Sequence, residues 1–277
     1  MTIELITILL LLGFVNGFYS GLLGTGGNVI LIPVLDFILV SFAIEDTELV
    51  KFIIAHSLFI TVFNSFSVSY KQYRINNFYL KDVLIMSFPA VIVGYIMSEI
   101  IKRSQWYDKT YFDLFFLILV LLVSIRFLFY KEVSIITNTQ KILQENRFSY
   151  IVLGTITGIV TALSGFGGGI VLVPSFTDIF GMPIKKASSI SIGVIMLLAI
   201  SVSVSYLNIG SSFEVPKVLP YQYGYISLSL VTPILIGVFF GAPFGVKVAQ
   251  KASSLILRYI FEGVMVLLCV KIIISFI

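Results

Sequence analysis

The sequence predicts an all-α polytopic membrane protein made of two pseudo-symmetric halves, inverted relative to one another, with about five segments each. Broken or half helices are expected at two glycine-rich motifs. Two observations lead to this fold class. The 277 residues are 58% hydrophobic and only 12% charged, about half the charged fraction of a soluble domain. Two stretches of the chain also repeat almost the same spacing of glycine and proline.

Apolar stretches with almost no charge recur from one end of the chain to the other, as in proteins that cross a membrane several times. The first is interpreted as a retained membrane segment, because it has no positive n-region and no small-residue cleavage site. The segments are expected at about 4–22, 27–42, 52–70, 83–101 and 111–130, and then at about 150–164, 169–182, 187–207, 222–243 and 255–276. The chain divides into a first transmembrane repeat (1–130), a connecting linker (131–149) and a second transmembrane repeat (150–277).

Each half begins with a motif of the same form. The first reads GLLGTGGNVILIP at residues 21–33, and the second reads ALSGFGGGIVLVP at residues 162–174. Residues 17–33 align with residues 158–174 without gaps. The identical pairs are Gly17/Gly158, Leu22/Leu163, Gly24/Gly165, Gly26/Gly167, Gly27/Gly168, Leu31/Leu172 and Pro33/Pro174. Unrelated apolar segments would share leucines but not this glycine and proline spacing, which indicates an internal duplication.

The Lys and Arg residues of the loops predict how the halves are oriented. If each half crosses the membrane four times, with the chain running straight through the glycine motif, seven loop cations lie on one side and eight on the other. With five segments per half, the chain turning back at each motif, they divide ten against five. Only the second division shows the bias towards one side that membrane topologies have. An odd number of segments per half makes the halves inverted, and we expect both termini outside.

The glycine motifs predict loops recessed into the protein, because segments 27–42 and 169–182 are shorter than the roughly 20 residues of a straight crossing. Irregular backbone at membrane depth is tolerated only where it is buried in protein or lines an aqueous cavity. Glycines with positive φ allow a close approach to a ligand, and bare N–H groups at a helix start favour an anion.

Two alternatives stay open for parts of the motifs. Close helix packing explains Gly17 and Gly21 well, but not the consecutive glycines that follow. The residues after the glycines (28–31 and 169–172) are alternatively short extended stretches that feed half-helices beginning at the two prolines.

Polar side chains within the apolar segments extend the candidate site. His56, the only histidine, lies with Ser57 on a partly polar helix that either walls a cavity or makes interhelical hydrogen bonds. Asp36 has no local partner and either binds a coupling cation or proton or caps a neighbouring element. The candidate substrate-binding residues are Gly24, Thr25, Gly26, Gly27, Asn28, His56, Ser57, Ser164, Gly165, Phe166, Gly167, Gly168, Gly169, Ser188 and Ser189. The candidate coupling residues are Asp36 and His56.

The paired motifs, each opening one half of a small, charge-poor membrane protein, resemble those of the TauE/SafE family of sulfite exporters. The stretches AHSL (55–58) and ASSI (187–190), which correspond to one another, are also similar to the segments that follow the motifs in that family. The resemblance implies a permease for small anions such as sulfite, sulfoacetate or a similar organosulfur anion. Asn28 departs from the usual first motif, and the second half has Gly169 in its place.

The expected function is a membrane transporter, a permease or exporter, that binds its anion between the two glycine-rich helix N-termini near the midplane and works by alternating access. The direction of transport stays open. The alternative is a membrane-embedded enzyme or sensor without transport activity. No catalytic residue, metal or cofactor is expected, because the single cysteine, Cys269, and the single histidine form no reactive or metal-binding cluster.

We expect a multi-pass protein of the cell membrane. Its expected partners are the small anionic substrate, the lipid bilayer and, as a candidate assembly, a second copy in a homodimer. The net charge of +4 comes from basic residues in short loops between apolar segments, as is general in membrane proteins. Because these residues form no basic face, we expect no nucleic-acid binding.

Overall fold

The computed structural model describes residues 3–42, 44–129, 147–208 and 215–275, and most of them are helical. The helices are α1 (Ile3–Leu23), α2 (Asn28–Val40), α3 (Asp46–Arg74), α4 (Leu80–Arg103), α5 (Lys109–Phe129), α6 (Arg147–Ser164), α7 (Gly169–Pro174), α8 (Ile184–Leu207), α9 (Leu228–Lys251) and α10 (Ser254–Ser275). A π-helical turn (Ser175–Ile179) continues α7, and a hairpin of β1 (Gln222–Tyr223) and β2 (Ile226–Ser227) precedes α9. Most of the expected linker at 131–149 lies outside the described residues.

Helices of membrane-spanning length account for much of the chain, which confirms the all-α polytopic fold class. Within the described ranges, α1, α3, α4, α8 and α9 are each long and apolar enough to cross a bilayer. The described parts of α2, α6 and α7 with its π turn are apolar but shorter. Each half therefore has the same order: one helix, a short element after a glycine loop, and three further helices.

The two glycine loops have the same backbone conformation. Each connects the end of one helix, Leu23 or Ser164, to the start of the next, Asn28 or Gly169. The φ angles are 71°, 84° and 81° at Gly24, Gly26 and Gly27, and 73°, 75° and 84° at Gly165, Gly167 and Gly168. Because residues with a Cβ rarely adopt positive φ, the repeated glycine spacing encodes a repeated turn.

The expectation of extended stretches before the prolines is wrong. Residues 28–31 and 169–172 are helical, and α2 begins at Asn28 with Pro33 in its sixth position. The left-handed Gly27 sets the start of this helix. Pro33 lacks only the N–H that would bond to the Val29 carbonyl, so the helix continues through it.

The segment expected at 222–243 begins later, at Leu228, because residues 222–227 form the hairpin. Tyr221 has positive φ just before β1. Ser227 Oγ donates to the Pro220 carbonyl at 2.8 Å. These turn interactions, together with Gly224, which also has positive φ, keep residues 222–227 out of the helix.

Helices α1 and α9 pack along their length through glycines. The facing pairs are Gly13/Ile234, Gly17/Val238 and Gly21/Ala242, with 2.0, 2.8 and 2.3 Å between a Cβ built on the glycine and the carbonyl oxygen opposite. On α9, Gly237, Gly241 and Gly245 lie against the backbone of α1 in return. The residue numbers rise together, so the helices run parallel. Close packing therefore explains Gly17 and Gly21, as the alternative interpretation holds.

Helix α4 contacts two helices of the second half and runs parallel to both. The facing pairs are Met86/Gly154 and Ala90/Gly158 on α6, and Val83/Gly193 and Lys102/Ser205 on α8. Helix α9 in turn contacts α1 and α3 of the first half. The contact of α4 with α6 corresponds to that of α9 with α1, and the contact of α4 with α8 corresponds to that of α9 with α3. Such corresponding pairs are expected of pseudo-symmetric halves.

Candidate functional site

The two glycine loops meet in the interior, beside α3 and α8, which are the most deeply buried of the spanning helices. Thr61 of α3 and Ile195 of α8 each border both loops. A Cβ built on Gly26 would lie 3.5 Å from the Thr61 methyl and 3.4 Å from the Ile195 methyl, and one built on Gly167 would lie 3.3 and 3.0 Å from them. Because Gly26 and Gly167 are equivalent positions, the loops face each other around this pair of side chains.

Both loops present backbone N–H groups that have no acceptor. Within the described part of the chain, the N–H groups of residues 25–29 and 167–170 donate no hydrogen bond. The hydrogen bonds that tie each loop to the preceding helix come from earlier residues. In the first loop, the Gly24 N–H donates to the Ser20 carbonyl at 2.7 Å. The loops are buried, and buried N–H groups without partners are rare in folded proteins. The arrangement suits a ligand that accepts several hydrogen bonds, such as a small anion.

Asn28 links the two loops through its side chain. Its Nδ2 donates to the Gly165 carbonyl at 2.6 Å, and its Oδ1 accepts from Thr61 Oγ1 at 2.6 Å. Ser57 Oγ also donates to the Gly165 carbonyl, at 3.2 Å. The Asn28 amide is therefore occupied by protein groups, whereas its backbone N–H is available.

The remaining loop contacts hold the backbone in place. Gly169 packs against the first loop, and a Cβ built on it would lie 2.4 Å from Thr25 Cα. Asn64 Nδ2 donates to the Gly26 carbonyl at 2.9 Å. Phe166 stacks on a phenylalanine of α5 with 4.5 Å between the ring centroids. None of these contacts uses the N–H groups of the loops.

The predicted serines take different places. Ser188 borders the first loop, since a Cβ built on Gly24 would lie 2.2 Å from its Oγ. Ser189 is turned away from the loops and donates to the Asn77 carbonyl. Ser164 stays at the start of the second loop, where its Oγ donates to the Val160 carbonyl at 2.7 Å.

The contacts also correct the expected correspondence of α3 with α8. Ile54 lies against Gly165 as Ser188 lies against Gly24. Ile54 and Ser188 are 134 residues apart, as are Thr61 and Ile195. AHSL and ASSI are only 132 residues apart. The sequence correspondence between them is therefore shifted by two residues from the correspondence in the structure.

His56 joins α3 to the start of α9. Its Nδ1 lies 2.7 Å from the Phe52 carbonyl and so carries the hydrogen, and its Nε2 accepts from the Ser227 N–H at 2.9 Å. The ring is fully buried. With both nitrogens bonded to backbone groups, the contacts of His56 are those of a structural residue.

Asp36 has a partner that is distant in the sequence. Its Oδ2 lies 3.1 Å from Lys109 Nζ at the start of α5, and the same Nζ lies 2.6 Å from Asp113 Oδ2. Asp36 therefore connects α2 to α5 through an ion pair. Neither candidate coupling residue makes a contact with the glycine loops among the described hydrogen bonds and ion pairs.

Sequence reasoning missed Asn16 of α1. It is fully buried, and a Cβ built on Gly27 would lie 2.5 Å from its Oδ1. The available signal was an amide side chain in the middle of an otherwise apolar first segment, which is costly unless it has a partner or a role.

Comparison with known proteins gives a consistent result. The chain matches the family described as Sulfite exporter TauE/SafE over residues 9–272. It is 28% identical over 261 residues to a probable membrane transporter protein of Methanocaldococcus jannaschii, which covers 94% of this chain and 92% of that protein. It is 26% identical over 246 residues to one from Haemophilus influenzae, with 89% of each covered, and 22% identical over 280 residues to one from Bacillus subtilis, with 94% of each covered. No solved structure matches the chain.

Proposed function

The chain belongs to the TauE/SafE sulfite exporter family, and on this premise we propose that it carries small anions of the sulfite and organosulfonate class across the cell membrane. Its relatives are named as probable membrane transporters. In the proposed mechanism the anion binds between the two glycine loops, near the midplane of the membrane, and reaches either side by alternating access.

The observation that carries this proposal is the pair of equivalent loops with unpaired N–H groups that face each other around Thr61 and Ile195. Helix α2 starts at one loop and α7 at the other, so the positive end of each helix points towards the loops. The loops contain no Lys or Arg. Hydrogen bonds and helix dipoles would therefore hold the anion, which suits a ligand that must also leave.

The contacts between the halves support alternating access. Each main contact of a first-half helix with a second-half helix has an equivalent contact in which the two halves are swapped. In transporters with inverted halves, this symmetry lets the halves interchange their conformations, so that the site opens first to one side and then to the other. The bond from Asn28 to the Gly165 carbonyl joins the two loops, and Ser57 of α3 donates to the same carbonyl. These bonds would break when the site opens.

The energetics favour export. An inside-negative potential drives an anion outward by about 2.3 kcal/mol per charge and per 100 mV, so export needs no coupled ion, whereas import would need a proton or sodium ion. Asp36 and His56, the candidate coupling residues, are engaged by Lys109 and by backbone groups. Their engagement supports uncoupled export.

Sulfite efflux from proteoliposomes tests the proposal. Vesicles loaded with radiolabelled sulfite, with an inside-negative potential set by potassium and valinomycin, should lose sulfite faster than vesicles without the protein. Gly27→Leu places a side chain against Asn16, whereas Gly263→Leu points into open space. The first variant should abolish efflux while inserting normally, and the second should transport like the parent protein.

Three results would contradict the proposal. A folded, inserted protein that moves neither sulfite nor sulfoacetate is not an anion transporter of this class. Conversion of sulfite without efflux would favour the membrane-embedded enzyme, and sulfite binding without flux would favour the sensor. If Gly27→Leu fails to fold, its glycine has a packing role, and Gly168→Leu then tests the second loop.

A further inference from the structure

The first glycine loop has an unpaired, buried side-chain amide beside it, and the described residues around the second loop include none. Asn16 is fully buried, and a Cβ built on Gly27 would lie 2.5 Å from its Oδ1 and 2.9 Å from its Cγ. Among the residues that the structure describes, neither Asn16 Nδ2 nor Asn16 Oδ1 has a hydrogen-bond partner. A buried amide with both ends unpaired is unfavourable, and this one lies at the start of α2.

The N-terminus of α2 supplies the other donors. This helix has 13 residues, enough to develop a positive end, and the N–H groups of residues 25–29 have no acceptor within the described chain. The hydroxyls of Ser20 and Thr25 are likewise buried without partners among the described residues. A set of donors at a positive helix end attracts an anion and repels a cation.

The second loop differs at the equivalent position. Thr157 lies against Gly168 as Asn16 lies against Gly27, with 2.2 Å between its Cγ2 and a Cβ built on the glycine. Its Oγ1, however, already donates to the Leu153 carbonyl at 2.7 Å. Helix α7 has only six residues before the π turn. The second loop therefore offers backbone N–H groups and the Thr161 hydroxyl, which is unpaired like that of Ser20, but no unpaired side-chain amide among the described residues.

We propose that Asn16 and the N-terminus of α2 form an oxyanion subsite. In it the Asn16 amide turns about its Cβ–Cγ bond, so that Nδ2 takes the place of the Oδ1 that lies beside Gly27 and donates to one oxygen, while backbone N–H groups donate to the others. The first half of the protein then determines most of the affinity and specificity, and the second loop closes over the ligand. Sulfite and sulfonates share three acceptor oxygens on one sulfur, which matches several convergent donors. This inference rests on the proposed function, because it assigns residues within the same site.

Sulfite binding to purified variants tests the subsite. Asn16→Leu removes the amide at similar volume, and Asn16→Thr installs the residue found in the second half. Both should weaken binding of sodium sulfite, measured by calorimetry at neutral pH, by about tenfold or more, as expected for the loss of a hydrogen bond to a charged ligand. The melting temperature of the ligand-free protein should stay the same or rise, because no protein hydrogen bond is lost. Thr157→Val is the matched control and should bind sulfite like the parent protein.

The outcomes separate this inference from the proposed function. If the parent protein and both Asn16 variants bind sulfite equally, the inference is wrong and the proposed function stands. If the variants lose ligand-free stability together with affinity, Asn16 has a structural role and the inference is again wrong. An equal loss in Thr157→Val would exclude a one-sided site. If the parent protein binds neither sulfite nor sulfoacetate, the proposed function fails, and the subsite with it.

Discussion

At the scale of single residues, Asn28 and Gly169 show why the repeat departs from symmetry where the loops meet. The Asn28 side chain crosses to the Gly165 carbonyl. At the equivalent position Gly169 has no side chain, and the backbone of Thr25 occupies the space where one would lie. A second asparagine at position 169 would overlap the first loop, so the asymmetry follows from the close contact of the loops.

Gly169→Ala tests that contact without backbone strain, because Gly169 does not have positive φ. Its new Cβ would lie 2.4 Å from Thr25 Cα and 2.5 Å from the Thr25 carbonyl oxygen, so the loops must separate. We expect transport to be lost and the free energy of unfolding to fall by about 1–3 kcal/mol, as for other overpacked sites. Gly263→Ala, a helical glycine with open space around it, is the control and should be neutral or slightly stabilising. Normal sulfite flux through Gly169→Ala would contradict a site between the loops.

The sequence predicted the left-handed glycines of the two loops, because such a turn leaves a direct compositional signal. It did not predict the surroundings of Asp36 and Asn16. The partner of Asp36 is Lys109, on a helix that is far away in the sequence. Asn16 acquires its place only when Gly27 is folded against it. Local patterns therefore identify turns, whereas the environment of a side chain depends on contacts that only the folded chain reveals.

At the scale of elements, the interface between α1 and α9 depends on glycines that bring two backbones together. Small residues permit this approach, and in a membrane such packing replaces the hydrophobic effect that holds soluble helices together. A Cβ built on Gly241 would lie 2.1 Å from the Phe14 carbonyl oxygen. The interface between the halves is therefore intolerant of even one methyl group where the opposing atom belongs to the backbone.

Gly241→Ala should consequently lower the melting temperature of the purified protein, because the two helices must move apart. Gly94→Ala is the matched control. It also lies in a packed helix, but its Cβ would meet the end of the Leu198 side chain, at 2.4 Å, which can change rotamer. We expect a clear loss of stability for Gly241→Ala, about 1–3 kcal/mol, and a small change for Gly94→Ala. Equal stability of the two variants would show that α1 and α9 separate without penalty.

Hydrophobic patterning located the apolar helices well, but not the start of α9. Residues 222–227 read QYGYIS, and their hairpin forms because the Pro220 carbonyl and the left-handed Tyr221 and Gly224 favour a turn. The prolines led to the opposite error, because the residues before Pro33 were expected to be extended, whereas α2 continues through Pro33. Turn chemistry and tertiary packing decide such boundaries, and neither is visible in apolar periodicity.

At the scale of the whole molecule, the connections between helices gather at two ends. At one end, Asn77 after α3 donates to the Lys185 carbonyl at the start of α8, and Lys185 Nζ donates to the Gln250 carbonyl near the end of α9. At the other end, Lys102 near the end of α4 donates to the Asn208 carbonyl after α8. This grouping is the one expected if the halves are inverted with five segments each. Four crossings per half would put the end of α3 with the end of α8.

Cysteine labelling in whole cells tests the inversion without changing any loop charge. In a background where Cys269 is replaced by serine, single cysteines are placed at four exposed positions. Ile75→Cys, Gln105→Cys and Val218→Cys lie in connections, and Gln250→Cys lies in the last turn of α9. Inverted halves with both termini outside predict that a membrane-impermeant maleimide labels positions 105 and 218 in intact cells, and positions 75 and 250 only after permeabilisation. Parallel halves of four crossings would instead pair 75 with 218 and 105 with 250. That second pattern would contradict the inversion, and with it the exchange of roles between the halves on which alternating access depends.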